Sequence, residues 1–313
     1  MPRLSVLFFG MEGVFSRAPL AALLAAGHDV RAVVVPRSYA LPGVGPAPRI
    51  LAPRRHGLTL QLAGQPTAPS IVGMAWDAGI PALEIGRLGG QDIVATLAAY
   101  APDVICVACF PYLLPPRLLA VPRHGGFNVH PSLLPAYRGP SPLFWVYRDG
   151  LEHAGVTIHH MDAGADTGDI AAQRRVEITD GTRYGDAELL LSRIGGEMLA
   201  DVLEAVATEQ LRLRPQPTSD APTAPTPSAA DYAVETTWSA RRAYIFIHGL
   251  AAWGQPFAIL GAGDPLVVRD AAGYDAHRTL PAPTIQDGGR LAVRFSPGVV
   301  SFDANTIEDY PRG

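Results

Sequence analysis

The opening of the chain constrains its fold most. The apolar run from Leu4 to Phe9, closed by Gly10, reads as a strand buried on both faces of a parallel sheet. A helix follows, with Ser16 as candidate N-cap, Pro19 in its first turn, and Leu20, Leu23 and Leu24 on one face before the Gly27-His28 stop. Asp29 to Val35 is the next strand. Strand, helix, strand at this spacing predicts an α/β protein with a doubly wound, mostly parallel sheet. Gly10-Met-Glu-Gly13 is not GxGxxG, so a nicotinamide reading is weak.

Further along, residues 36 to 70 are rich in Pro, Gly and Ala and read as a long loop carrying Arg37, Arg49, Arg54 and Arg55. Ile80 to Ile85 reads as a strand, Gln91 to Tyr100 as a helix, and Pro102 to Ala108 as a central strand. Cys106 and Cys109 fall in that apolar stretch and read as buried structural thiols, without the second ligand pair that a metal or redox motif needs. Gly126 to His130 is a short strand whose alternation puts Asn128 and His130 on one face. Pro131 and Pro135 force a rigid loop behind it, and a second strand, Gly155 to Met161, delivers the turn from Asp162 to Gly168. His159 and His160 occupy adjacent, opposite-facing positions and cannot chelate one metal. Asp162 and Asp169 read as turn residues. Gln173 to Ile178 alternates like an edge strand, and residues 183 to 209 read as one long helix.

Composition shifts after that helix. The segment from Pro215 to Ala229 is rich in Pro, Thr and Ala with no large apolar side chain, so a linker is expected at 212–230 between a domain at 1–211 and a smaller β-rich domain at 231–313. Trp238 to Gly249 reads as a helix that needs a partner surface, and four strands follow it. No apolar run reaches the roughly 18 residues of a membrane span, so a soluble, cytoplasmic protein is the default expectation. All 25 basic residues are arginine. Without lysine, a Schiff base, a Walker-type phosphate grip and pyridoxal phosphate attachment are excluded.

Asn128-x-His130-Pro-Ser-Leu-Leu-Pro135, then Arg138-Gly139, Gly155-Val-Thr-Ile158, Met161-Asp162 and Asp166-Thr-Gly-Asp169 agree in order and spacing with one another. This set resembles the folate-dependent formyltransferase family. The resemblance implies a formyltransferase-type, Rossmann-like catalytic domain, with an OB-like second domain, and 10-formyltetrahydrofolate as co-substrate with no metal. It also implies a catalytic Asn128, His130 and Asp166. Asn128 would offer an amide N–H to the developing oxyanion, worth on the order of 3 kcal/mol. His130 would move protons, and Asp166 would orient the imidazole and raise its pKa. For the folate, the resemblance points to Tyr112, Leu113 and Leu114, to the Ser132-Leu133-Leu134-Pro135 loop, and to Asp162, Ala163, Gly164 and Ala165. A planar heterocycle wants such an apolar slot edged by main-chain groups. Some sugar formyltransferases carry an arginine where this chain has Pro140.

Three functions share these motifs: an N-formyltransferase, a hydrolase releasing formate from the same co-substrate, and a non-catalytic folate binder, against which an intact trio counts. For the acceptor, charge decides the preference. Residues 231–313 hold seven arginines against nine acids, net −2, and the whole chain is −4. This balance favours a small-molecule amine such as a nucleotide-linked amino sugar over methionyl-tRNA, whose phosphates call for a basic face. Arg241-Arg242 at that domain's opening and Arg54-Arg55 in the long loop are adjacent basic pairs that could provide one.

Overall fold

Val6, Leu7, Phe8 and Phe9 are completely buried, as a strand covered on both faces must be. Each such side chain contributes about 1.5–3 kcal/mol relative to exposure. The computed structural model describes residues 3–37, 48–52, 70–86, 88, 91–217, 220–287 and 289–308. In chain order the elements begin β1 (Ser5–Gly10), α1 (Arg17–Ala25), β2 (Asp29–Pro36), β3 (Arg49–Leu51), α2 (Ile71–Asp77), β4 (Ala82–Ile85), α3 (Gln91–Ala98) and β5 (Val104–Ala108). Then come α4 (Pro116–Leu119), β6 (Gly126–His130), α5 (Pro142–Arg148), β7 (Gly155–His160), β8 (Ile170–Arg175) and α6 (Tyr184–Ala207).

These strands form one eight-stranded sheet in the order β3-β4-β2-β1-β5-β6-β7-β8. The five from β4 to β6 run parallel, while β3 and β7 pair antiparallel with their neighbours. The expected doubly wound, mostly parallel sheet is therefore present. Helix α6 packs closely on both β6 and α1. On the apolar side of β6, a Cβ at Gly195 of α6 would stand 2.5 Å from Val129 Cγ1, and one at Gly196 would stand 2.7 Å from the Ala18 carbonyl oxygen. Gly195 thus lets α6 lie directly on the strand, and Gly196 lets it approach the backbone of α1.

The chain groups into two compact units, and their bounds differ from the expected split. The first comprises residues 1–138, 156–174 and 189–220, and the second 139–155, 175–188 and 221–313. The aromatic segment α5 was expected with the first domain but joins the second unit. There it gives α7 (Ala240–Leu250), reached after β9 (Ala233–Glu235), the partner surface that helix needed. Phe144 meets Phe246 at 5.5 Å and Tyr232 at 5.4 Å between ring centres. A Cβ at Gly249 would stand 2.2 Å from the Tyr147 ring, so that ring of α5 packs on bare backbone of α7. The rest of the second unit is β10 (Phe257–Leu260), β11 (Leu266–Val268), β12 (Gly273–Asp275), β13 (Thr284–Asp287), β14 (Arg290–Arg294), β15 (Val299–Asp303) and β16 (Ile307–Glu308). It is β-rich as expected, with two four-stranded sheets ordered β16-β11-β10-β9 and β12-β15-β14-β13.

Several local expectations change. Strand β3 stands inside the expected 36–70 loop, because Arg49 to Leu51 can pair with the free edge of β4. Arg54 and Arg55 lie outside the described residues. Ser16 does not cap α1. Its hydroxyl donates to the Ala108 carbonyl at 2.7 Å and accepts from Met11 N–H at 2.9 Å, stapling the ends of β1 and β5. Cys106 is buried, and burial pushes its thiol pKa up. Cys109, expected to be buried, is exposed just past the strand with φ +56°. The edge strand begins at Ile170 rather than Gln173, since Ile170 is the residue that turns inward. The supposed linker is seated: Arg214 bridges Ile170, and Ala224 is fully buried. Among the described residues no helix is long and apolar enough to cross a membrane.

Candidate active site

Chemistry in an open α/β sheet collects at the carboxyl ends of the parallel strands, where backbone and side chains are not committed to the ladder. Here that end carries the loop after β5 and the end of β6, while β7 runs antiparallel and its closing turn starts beside the first residues of β6, where His160 pairs with Phe127. Phe127 and Val129 of β6 face the core, so Asn128 and His130 must face the other way. The turn brings Asp166 to them. His130 Nδ1 lies 3.6 Å from Asp166 Oδ2, and Asn128 Nδ2 lies 3.3 Å from Asp166 Oδ1. All three candidate catalytic residues thus share one cluster.

A fourth member was not expected. His159 is the cross-strand partner of Asn128 in the β6–β7 pairing, and its Nε2 stands 3.1 Å from Asn128 Nδ2 and 3.3 Å from Asp166 Oδ1. The sequence showed both strands but not their antiparallel register, which alone puts His159 beside Asn128 and Thr157 beside His130. Thr157 is completely buried and fixes the 131–135 loop. Its hydroxyl donates to the Ser132 carbonyl at 2.7 Å, and the same oxygen accepts from Leu134 N–H at 3.2 Å. Gln173 on β8 adds donations to Leu134 O at 2.8 Å and to Thr157 Oγ1 at 2.9 Å.

The tautomer of His130 follows from its partner. Its Nε2 is 2.9 Å from the Tyr137 carbonyl, and a carbonyl can only accept, so Nε2 carries a hydrogen. Nδ1, facing Asp166, is then the edge that gains or loses a proton. Asp166 does pull the imidazole pKa up, as expected, but it does not set the direction of the whole shift. His130 is lowered overall, first by burial; Asp166 pulls it up, His159 pushes it down, and the Tyr137 bond helps it up. A cation with 3% exposure costs more than one carboxylate 3.6 Å away returns.

The expected folate-contacting residues lie in the loops after β5 and β6 and in the turn after β7. Leu113 is 63% exposed, Leu114 is buried, and Tyr112 packs edge-on against Phe110. Ser132 and Leu134 are buried, Ser132 donating to the Ala136 carbonyl at 2.7 Å, and Leu133 and Pro135 are partly exposed. Asp162, Ala163, Gly164 and Ala165 are exposed. Asp162 acts as a turn residue, its carboxylate accepting from Gly164 N–H at 3.0 Å and Thr167 Oγ1 at 2.7 Å. Among the described residues no cluster of His, Cys, Asp and Glu has metal-binding geometry.

Residues 57–203 match the family described as Formyl transferase. Methionyl-tRNA formyltransferase of Pelotomaculum thermopropionicum is 32% identical over 94% of this chain and 87% of the relative. That of Chromohalobacter salexigens is 34% identical over 94% of this chain and 85% of the relative. Among solved structures, WlaRD, described as a sugar 3N-formyl transferase in the presence of dTDP and 5-N-formyl-THF, shares the fold with a TM-score of 0.66 at 12% identity, covering 97% of this chain and 98% of that one. Similarity of this extent, running through both units and over the strand ends that carry the cluster, establishes that the chain belongs to the folate-dependent formyltransferase family and is a formyltransferase enzyme.

Proposed function

We propose that this formyltransferase moves the formyl group of 10-formyltetrahydrofolate to the primary amine of a small molecule, such as a nucleotide-linked amino sugar. Asn128, His130 and Asp166 are the catalytic groups in this reading. The observation that carries it is the His130 imidazole, held through Nε2 while its free Nδ1 edge faces Asp166.

The reaction forms a carbon–nitrogen bond from the amine to the formyl carbon and breaks the bond from that carbon to N10. One proton leaves the amine and one arrives on N10. His130 suits this relay: its lowered pKa keeps Nδ1 free to accept a proton, and Asp166 stabilises the imidazolium that results. Asn128 carries two amide hydrogens, now directed at His159 and Asp166, and one of them turns to the oxyanion as charge develops there. The surroundings suit a folate. The exposed Leu113 side chain, beside buried Leu114, offers an apolar wall at the strand ends, and main-chain groups of the 162–166 turn offer polar edges.

For the acceptor, the arginines of the second unit argue against a polyanion. Arg241 pairs with Asp180 and Arg242 with Asp149, so the adjacent pair expected as a phosphate contact is neutralised from within. Arg183, Arg269 and Arg290 also pair with carboxylates. Methionyl-tRNA is the second reading, favoured by the names of the relatives that span nearly the whole chain. The deciding experiment is initial-rate kinetics with 10-formyltetrahydrofolate and either a dTDP-linked amino sugar or methionyl-tRNA at equal concentration. Higher kcat/KM for the amino sugar is expected; a preference for methionyl-tRNA would reverse the assignment, and formate release without an amine would mark a hydrolase.

A further inference from the structure

Asp166 sits in a turn tied down at several points. Its carboxylate lies 3.3 to 3.6 Å from Asn128, His130 and His159. Its backbone has φ +55°, a left-handed conformation that needs support from its surroundings. The Asp162 side chain ties down only the start of the turn. At the other end Gly168 lies against the His160 carbonyl, where a Cβ would stand only 1.8 Å from the oxygen.

The middle is held from the Pro-rich stretch. Arg214 pairs with Ile170 through two backbone hydrogen bonds, 2.8 and 2.9 Å, which brings Gln216 over the turn. Gln216 Nε2 donates to the Asp166 carbonyl at 2.8 Å and to the Gly168 carbonyl at 2.7 Å. Its Oε1 in turn accepts from Arg138 Nε at 3.0 Å and Nη2 at 2.6 Å. Two guanidinium donors on one amide oxygen polarise the amide and strengthen both of its N–H bonds.

We infer that Arg138 and Gln216 form a latch that sets the position of Asp166 relative to His130, so that a segment read from sequence as a passive linker contains a positioning residue of the active site. This rests on the catalytic reading of His130 and Asp166 given above. The chemistry of the latch is asymmetric. Glutamate at position 216 keeps the arginine contact, but it has no hydrogens for the two carbonyls and repels both. Methionine keeps the volume and loses everything else. Displacing Asp166 removes the charge that pulls the His130 pKa upward, leaving burial and the neighbouring His159 to lower it further.

The test uses full-length Gln216→Glu, Gln216→Met and Arg138→Met, with His130→Ala as control. It follows the His130 ring-proton resonance across pH, turnover with 10-formyltetrahydrofolate and whichever of the two acceptors the wild-type chain uses, and thermal stability. The Gln216 variants should titrate His130 at lower pH and lose about 10- to 100-fold in kcat, with KM for the folate nearly unchanged. Arg138→Met should show the same pattern with a smaller loss. Coincident titration curves and wild-type kcat in the Gln216 variants, beside an inactive His130→Ala, would remove the latch and leave the catalytic reading standing. A kcat loss that tracks lost thermal stability with His130 titrating as before would reduce Gln216 to a structural role, which also overturns the proposal. An active His130→Ala would instead remove the catalytic reading itself.

Discussion

Two aspartates, one in each unit, show how the same side chain serves opposite ends. Asp180 accepts a two-point guanidinium contact from Arg241 at 2.7 and 2.8 Å and the Tyr274 hydroxyl at 2.5 Å. Its charge is fully answered, and the hydrogen bond to it is the first cause of the raised pKa of both partners. Asp166 is only 15% exposed and lies 3.3 to 3.6 Å from two imidazoles and an amide. A carboxylate saturated with short donors stabilises a fold and can do little else, whereas one held by its backbone among groups that exchange protons keeps chemistry available.

The largest effect that could break this contrast is kinetic. His130→Ala, Asp166→Asn and Asn128→Ala should each lower turnover about 100-fold or more, with thermal melting and folate affinity close to wild type. Near-normal turnover in His130→Ala, measured under single-turnover conditions, would show that the cluster around Asp166 is no more functional than Asp180. Next in size is the reciprocal change. Asp180→Ala should cost about 1–2 kcal/mol in urea unfolding, kept modest because Arg241 is 48% exposed, while kcat per folded molecule is unchanged.

A smaller effect concerns pH. The folded pKa of His130 lies below its ordinary 6.5, so the unfolded chain takes up a proton first as pH falls. The stability from burying a neutral imidazole is therefore present above about 6.5 and is lost as pH drops toward the folded value. Thermal melts from pH 8 to 5 should show this acid-side loss reduced in His130→Gln, and equal slopes in both proteins would contradict it. Asp166→Asn should move the His130 titration to still lower pH. The smallest expected effect is that of salt. Raising it from about 50 to 200 mM should change formylation of a small amine less than about twofold, whereas a tRNA held by many phosphate contacts would lose orders of magnitude.

The sequence by itself determined the local half of this molecule. Periodicity marked β1, β2, β5, β6, β7 and the long helix α6, because burial on both faces, on alternate positions or along one stripe leaves its imprint in the order of residues. Resemblance to the family's motifs picked out Asn128, His130 and Asp166, all within 39 residues of one another by their numbering. What only the tertiary structure decided involves partners distant in sequence or a balance of opposing energies. His159 joins the cluster through antiparallel register, which no single-strand pattern encodes. Segment α5 leaves its sequence neighbours because its aromatic face finds α7, about a hundred residues on. Gln216 looked like linker because its stretch has no large apolar side chain, yet it is held by hydrogen bonds, and hydropathy does not register those. The sign of the His130 shift depends on burial outweighing Asp166, a competition of magnitudes that exists only once the side chains are enclosed together.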